Sequence, residues 1–114
     1  MRFNLVLTIC PSDRQEQIVD AAKAAGATGA TLLSARGTGV KEAKTFFGLS
    51  LDKPQEAVVM LVERHMSPKI MQAIYDAGDM IKPGNGICFS LPVDSVMGLE
   101  SQLSILKKET EEYI

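Results

Sequence analysis

Between Gly26 and Gly39 the chain reads GATGATLLSARGTG, and this stretch restricts the choice of fold more than any other. Gly26 stands where a left-handed residue closes the amphipathic run before it, a position glycine takes without a Cβ penalty. Ala30 to Ala35 then reads as a strand, because Thr31 and its aliphatic neighbours suit a pleated, half-buried surface. Gly37 and Gly39 release the backbone from that strand, permitting positive φ and letting amide groups approach an anionic or planar ligand closely. The G-x-G alone is not a dinucleotide fingerprint, since the third glycine is missing and no helix opens directly on it.

The 114 residues, 46% hydrophobic and 23% charged, suffice for one domain around one core. A formal charge of -2 and a pI near 5.3 give no general attraction to nucleic acid, and Lys and Arg are scattered rather than striped. No apolar run reaches bilayer length, so direct membrane insertion is not expected. The opening MRFNLVLTIC alternates like a strand and lacks a signal peptide's cleavage region, which makes a cytoplasmic location the expectation. Cys10 and Cys88 are too few for a disulfide scaffold and do not form a C-x-x-C pair.

Taken in order, Arg2 to Cys10 puts Phe3, Leu5, Leu7 and Ile9 on one face of a strand and Asn4, Val6, Thr8 and Cys10 on the other. Pro11 ends it, and Ser12 with Gln15 resembles a capping box for a helix from about Asp13 to Ala25. That helix has a narrow apolar stripe, Ile18, Ala21, Ala22 and Ala25, suited to close packing on a sheet. Residues 40–55, with the Phe46-Phe47 pair, Gly48 and Pro54, read as a long, partly mobile loop. Glu56 to Arg64 contains AVVMLV, suited to a central strand buried on both faces. Ser67 and Pro68 supply an N-cap and a first-turn proline for a helix carrying Ile70, Met71, Ile74 and Tyr75 and stopping at Gly78. KPGNG, Lys82 to Gly86, leads into a short strand, Ile87 to Leu91, closed by Pro92. From Asp94 the spacing of Val96, Leu99, Leu103 and Leu106 predicts a C-terminal helix with a frayed, charged end.

Two β-α-β halves joined by a long loop define an α+β, ferredoxin-like βαββαβ sandwich with an antiparallel sheet, two helices on one face and a C-terminal helical tail at about 94–114. The other face needs a cover, and Val6, Thr8 and the two-sided Val58 to Val62 strand suggest sheets from several subunits. In this topology the exits of the first and second strands and the turn before the fourth reach one rim of the sheet. Cys10 and Cys88 would be cross-strand neighbours near that rim, either as a thiol pair or as small apolar fillers.

The glycine stretch, the following loop, the β-α unit and KPGNGICFSLPVD together resemble the PII signal-transduction family, the nitrogen regulatory proteins. The likeness covers about Arg2 to Val96, with Ile9, Cys10 and Pro11 closing the first strand, and Gly26, Thr28, Gly29, Thr31, Gly37 and Gly39 keeping the family's spacing. The resemblance implies a homotrimer that has no enzymatic activity. It also implies an adenine-nucleotide site (AMP, ADP or ATP) in each cleft between subunits. The protein partner, a membrane transporter or an enzyme, would be controlled through the long loop, the T-loop. By the same resemblance Gly37, Thr38 and Gly39 contact nucleotide. Lys82, Pro83, Gly84, Asn85 and Gly86 form the phosphate-side loop, and Gly29, Ala30 and Thr31 reach the base from the neighbouring subunit.

Departures from the family pattern argue against tight ATP binding. Asn85 replaces an aspartate, and Ile87, Gly98 and Glu100 stand where basic residues are expected. Each charge-assisted hydrogen bond to phosphate is worth about 1.5–3 kcal/mol. The long loop has no tyrosine, so uridylylation is not expected. Beside these readings stand plainer ones. Gly84-Asn85-Gly86 is also an ordinary tight turn, and Phe46, Phe47, Leu49 and Leu51 could equally fold back on their own protein or form a partner patch. His65, with no second histidine in the chain, reads as a solvated side chain. A small ferredoxin-like enzyme would need a buried acid, base or arginine set that Arg14, Arg36 and His65 do not make. An ACT-like or CutA-like sensor would need ligands the sequence does not supply.

Overall fold

The computed structural model describes residues 1–35, 45–46, 49–50 and 54–99 of the chain. In chain order the elements are β1 (Phe3–Pro11), α1 (Gln15–Ala24), β2 (Thr31–Ala35), β3 (Thr45–Phe46), β4 (Leu49–Ser50), β5 (Gln55–Glu63), α2 (Ser67–Ala77) and β6 (Ile87–Val93). Four of the strands form one antiparallel sheet in the order β2-β5-β1-β6, and α1 and α2 pack side by side on one face of it. This is the α+β ferredoxin-like sandwich. The long AVVMLV run lies on β5, a central strand, as an apolar sequence on both pleats requires.

The core lies between sheet and helices. Val6 and Cys10 of β1 and Val58, Met60 and Val62 of β5 meet Ile18, Val19 and Ala22 of α1 and Ile70 and Ile74 of α2. Each large side chain buried there contributes about 1.5–3 kcal/mol. The β1 faces are the reverse of the sequence expectation. Val6, Thr8 and Cys10 are fully buried under the helices, and Leu5, Leu7 and Ile9 lie on the open side. The physical reason is size, since the alanine stripe of α1 comes close to the sheet and leaves room for small residues, while the leucines go to the other pleat. Thr8 is satisfied there because its hydroxyl donates to Cys88 Sγ at 3.5 Å.

Several boundaries also differ. Neither Ser12 nor Ser67 caps a helix. Ser12–Arg14 is a 3-10 turn and Ser67 is already inside α2, where its Oγ donates to the Arg64 carbonyl at 2.9 Å. Gly26 does take the left-handed conformation, with φ 119° after the end of α1. β6 continues through Pro92 to Val93, which an edge strand allows because the missing N–H falls on the unpaired side. Within the segment read as one long loop, Thr45 pairs with Ser50 and Phe46 with Leu49. The expected tail helix does not begin at Asp94. Residues 94–99 are irregular and Gly98 has φ +95°, outside helical space, while 100–114 lie outside the described residues.

Candidate functional site

The upper rim of the sheet is the end where β1 finishes and β6 begins, with Ile9 opposite Ile87. The loop from Asp79 to Gly86 occupies this rim and is held together by its own polar groups. Asp79 takes φ 50°, a left-handed conformation that aspartate tolerates better than most residues. Its backbone carbonyl accepts from Lys82 N at 3.1 Å and from Asn85 Nδ2 at 2.9 Å, and its carboxylate pairs with Lys82 Nζ at 3.0 Å. Asn85 N in turn donates to the Lys82 carbonyl at 3.3 Å. The Gly84-Asn85-Gly86 run is therefore a built turn, with positive φ at both glycines.

Gly86 has a structural reason of its own. A Cβ built there would lie 2.6 Å from the Ile9 carbonyl oxygen and 3.3 Å from Cys10 Cα. The backbone of β1 takes the space a side chain would need, so Gly86 serves the close entry of the chain into β6 beside β1 whether or not a ligand binds.

The sequence-predicted residues fall in two places. Lys82, Pro83, Gly84, Asn85 and Gly86 are on the β6 side of the rim. Gly29, Ala30 and Thr31 lead into β2, at the opposite edge of the sheet, with Thr31 level with Val59. Two strands separate the edges, about 14 Å at the usual strand spacing. One chain alone does not bring the two groups together. Gly37, Thr38 and Gly39 lie outside the described residues, as do Arg36 and Glu100. Sequence reasoning missed Asp79, the hub of the loop. Its signal was an aspartate directly after a helix-ending glycine, a place that favours left-handed geometry.

The thiols are not a directly opposed pair. Cys88 stands across from Thr8, Cys10 is two residues further along β1, and both are free. Burial, with the negative charges of Glu56 and then Asp13, pushes the Cys10 thiol up to about 11. Burial also raises Cys88, against an opposing hydrogen bond from Thr8. His65 is half-exposed with Nδ1 2.7 Å from Glu63 Oε2, at the lower end of the sheet and away from the rim. Among the described residues no cluster of three or more His, Cys, Asp or Glu could hold a metal ion, and no helix is long and apolar enough to cross a membrane.

The open sheet face completes the geometry. The strand register places Leu91, Leu5 and Leu61 in one row, Phe89, Leu7, Val59 and Thr31 in the next, and Ile87, Ile9, Ala57 and Leu33 in the third. Ten of these eleven side chains are apolar, and among the described residues no helix covers them. Leu33 is 54% and Leu91 50% exposed. A contiguous apolar face of this kind marks an interaction surface more often than a solvated one.

The described residues thus form a ferredoxin-like sandwich with an organised glycine loop at its rim and an apolar sheet face that neither α1 nor α2 covers. The nitrogen regulatory protein P-II family model matches residues 3–102. The chain belongs to that family, whose members are regulators. Among solved structures it is similar to a PII-like signaling protein from Thermus thermophilus, with 19% identity, a TM-score of 0.61, and 82% of this chain and 87% of that one covered. At that identity the likeness concerns the fold. No curated protein matches the chain.

Proposed function

We propose that the chain is a PII-like regulator that assembles as a homotrimer through the open sheet face. In this reading it senses an adenine nucleotide at the clefts between subunits and acts on a partner protein through residues 40–55. The observation that carries the reading is the separation of the two groups of site residues on opposite edges of one sheet. A cyclic assembly sets the β2 edge of one protomer beside the β6 edge of the next, and only then do Gly29, Ala30 and Thr31 face Lys82 to Gly86. The three apolar rows of the open face supply the association energy.

The donor set favours a ligand with few phosphates. The rim loop offers backbone amides at Gly84, Asn85 and Gly86 and a single lysine, and that lysine is already paired with Asp79. Ile87 brings an apolar side chain and Gly98 none where cations would be needed. Base, ribose and one or two phosphates suit this loop better than a triphosphate. Isothermal titration with AMP, ADP and ATP tests it. The expected result is micromolar or weaker binding with no gain for ATP, and ATP binding a hundredfold tighter than AMP would overturn the phosphate argument. The role is regulatory, with no reaction assigned to the rim, and a soluble cytoplasmic setting with a transporter or enzyme partner accords with the family.

A further inference from the structure

Three of the eight residues lining the groove between α2 and β6 carry sulfur: Met71 on α2, Met80 just beyond it and Cys88 on β6. In the whole chain sulfur occurs in eight of 114 residues, six Met and two Cys, so the groove wall is strongly enriched in it. The groove has a volume of about 560 Å³ and lies on the helix side of the β6 edge, away from the open sheet face. We propose that it is a binding site for a soft monovalent cation, Cu(I), held by the Cys88 thiolate and the thioethers of Met71 and Met80.

The donor chemistry selects that ion. Thiolate and thioether sulfur are soft ligands that favour Cu(I), whereas Mg, Ca and Mn favour oxygen, and Zn takes imidazole, carboxylate or several thiolates. No His, Asp or Glu is among the described residues that line the groove, and its side-chain amide, Gln72, is engaged with Asp76 Oδ1 at 3.0 Å. The charge also fits. Cu(I) replaces the Cys88 thiol proton, which passes to solvent, and the resulting pair of cation and thiolate is neutral. A divalent ion on the same three ligands would leave a net positive charge in an apolar groove.

These three side chains are placed differently from the methionines that fill the core. Met60 and Met66 are buried in it, while Met71, Met80 and Cys88 are half-buried and pack against it from outside. Cys88 is the fixed member, because its Sγ accepts from Thr8 Oγ1 at 3.5 Å, a hydrogen bond that orients the sulfur. The methionines are the adaptable ones. Met80 Cε lies 3.1 Å from a Cβ built at Gly78, and the rotatable bonds of each methionine let its thioether swing toward Cys88. Met80 follows Asp79 directly and Cys88 stands just after Gly86 and Ile87, so an ion joining them clamps both ends of the rim loop. Metal binding here is independent of the nucleotide reading.

The experiment is an anaerobic titration of the reduced full chain against the Cu(I)–bicinchoninate complex, whose colour fades as the protein withdraws the ion. The parent is expected to withdraw one Cu(I) per chain, with no competition from Zn(II). Cys88→Ser should abolish withdrawal, Met71→Leu and Met80→Leu should each weaken it about tenfold or more, and Cys10→Ala should leave it unchanged. The leucine variants nearly conserve volume, and circular dichroism verifies each fold. In the parent itself, with methyl-labelled methionine, Ag(I) as a redox-inert stand-in should shift the Met71 and Met80 methyl resonances and leave those of Met60 and Met66 in place. No withdrawal by the parent, withdrawal that survives Cys88→Ser, leucine variants that bind as the parent does, or Met71 and Met80 resonances unmoved by silver would each overturn the proposal.

Discussion

Replacing Gly86 by alanine probes the close approach of the chain entering β6 to its neighbour β1 with a single methyl group. Gly86 has φ +131°, and the added Cβ would stand 2.6 Å from the Ile9 carbonyl oxygen. A side chain in that region of φ costs about 1–3 kcal/mol. Moving a backbone carbonyl held in the sheet adds about 1–3 kcal/mol of overpacking, because no flexible side chain is there to give way. The expected loss is therefore about 3 kcal/mol. With a urea slope of about 1.5 kcal/mol per M, the unfolding midpoint falls by about 2 M. The measurement compares Gly86→Ala with Gly29→Ala at one protomer concentration, since the proposed assembly would make stability concentration-dependent. Gly29 has nothing within 4 Å of a built Cβ and no left-handed φ, so its variant should stay within about 0.5 kcal/mol of the parent. Equal midpoints for the two variants would refute the reasoning. The same geometry disqualifies a bulkier Gly86→Val as a simple test of ligand contact, because loss of binding and loss of fold would coincide.

Asn85→Ala removes the donor to the Asp79 carbonyl and should cost about 1 kcal/mol in thermal or urea unfolding; a change below a few tenths would mean the loop does not depend on that bond. Asp79→Gly keeps the left-handed backbone while releasing Lys82, so titration should show ADP and ATP gaining affinity relative to AMP; an unchanged ratio would remove Lys82 from the ligand account. On the open face, Leu7→Glu should shift sedimentation toward the monomer without loss of helical circular dichroism, and an unaffected assembly would place the interface elsewhere. Cys10 gives a pH signature: an unfolded thiol ionises near 9 and the folded one near 11, so between those values the unfolded chain holds fewer protons. Stability should fall as pH rises through that window, by at most about 3 kcal/mol, and the slope should flatten in Cys10→Ala. An identical slope in that variant would assign the alkaline loss to other groups.

The sheet and both helices were legible because their signals are periodic or chemical: the AVVMLV run, the alanine stripe, Gly26 and Gly78 at helix ends. The orientation of β1 was not, since both its faces are largely apolar and periodicity cannot say which one a helix covers. That depended on side-chain volume against α1. The two serines had the composition of caps, but Ser12 lies in a 3-10 turn that delays α1 to Gln15, and a 3-10 turn over Arg64–Met66 brings Ser67 inside α2. Pro92 looked like a strand terminator because edge position, which makes it tolerable, is a property of the whole sheet. Of the site, the Gly84-Asn85-Gly86 turn could be read from residue type, whereas Asp79 as its hub and the β1 carbonyl behind Gly86 required three-dimensional neighbours.

The central claim, a trimer with nucleotide held between the β2 edge of one protomer and the β6 edge of the next, is tested most directly by native mass spectrometry of the full chain with AMP, ADP and ATP. The account predicts a species at three times 12.3 kDa, about 37 kDa, that retains up to three molecules of AMP or ADP and holds ATP no more firmly. A 12.3 kDa monomer at every concentration, retaining none of the three nucleotides, would contradict it.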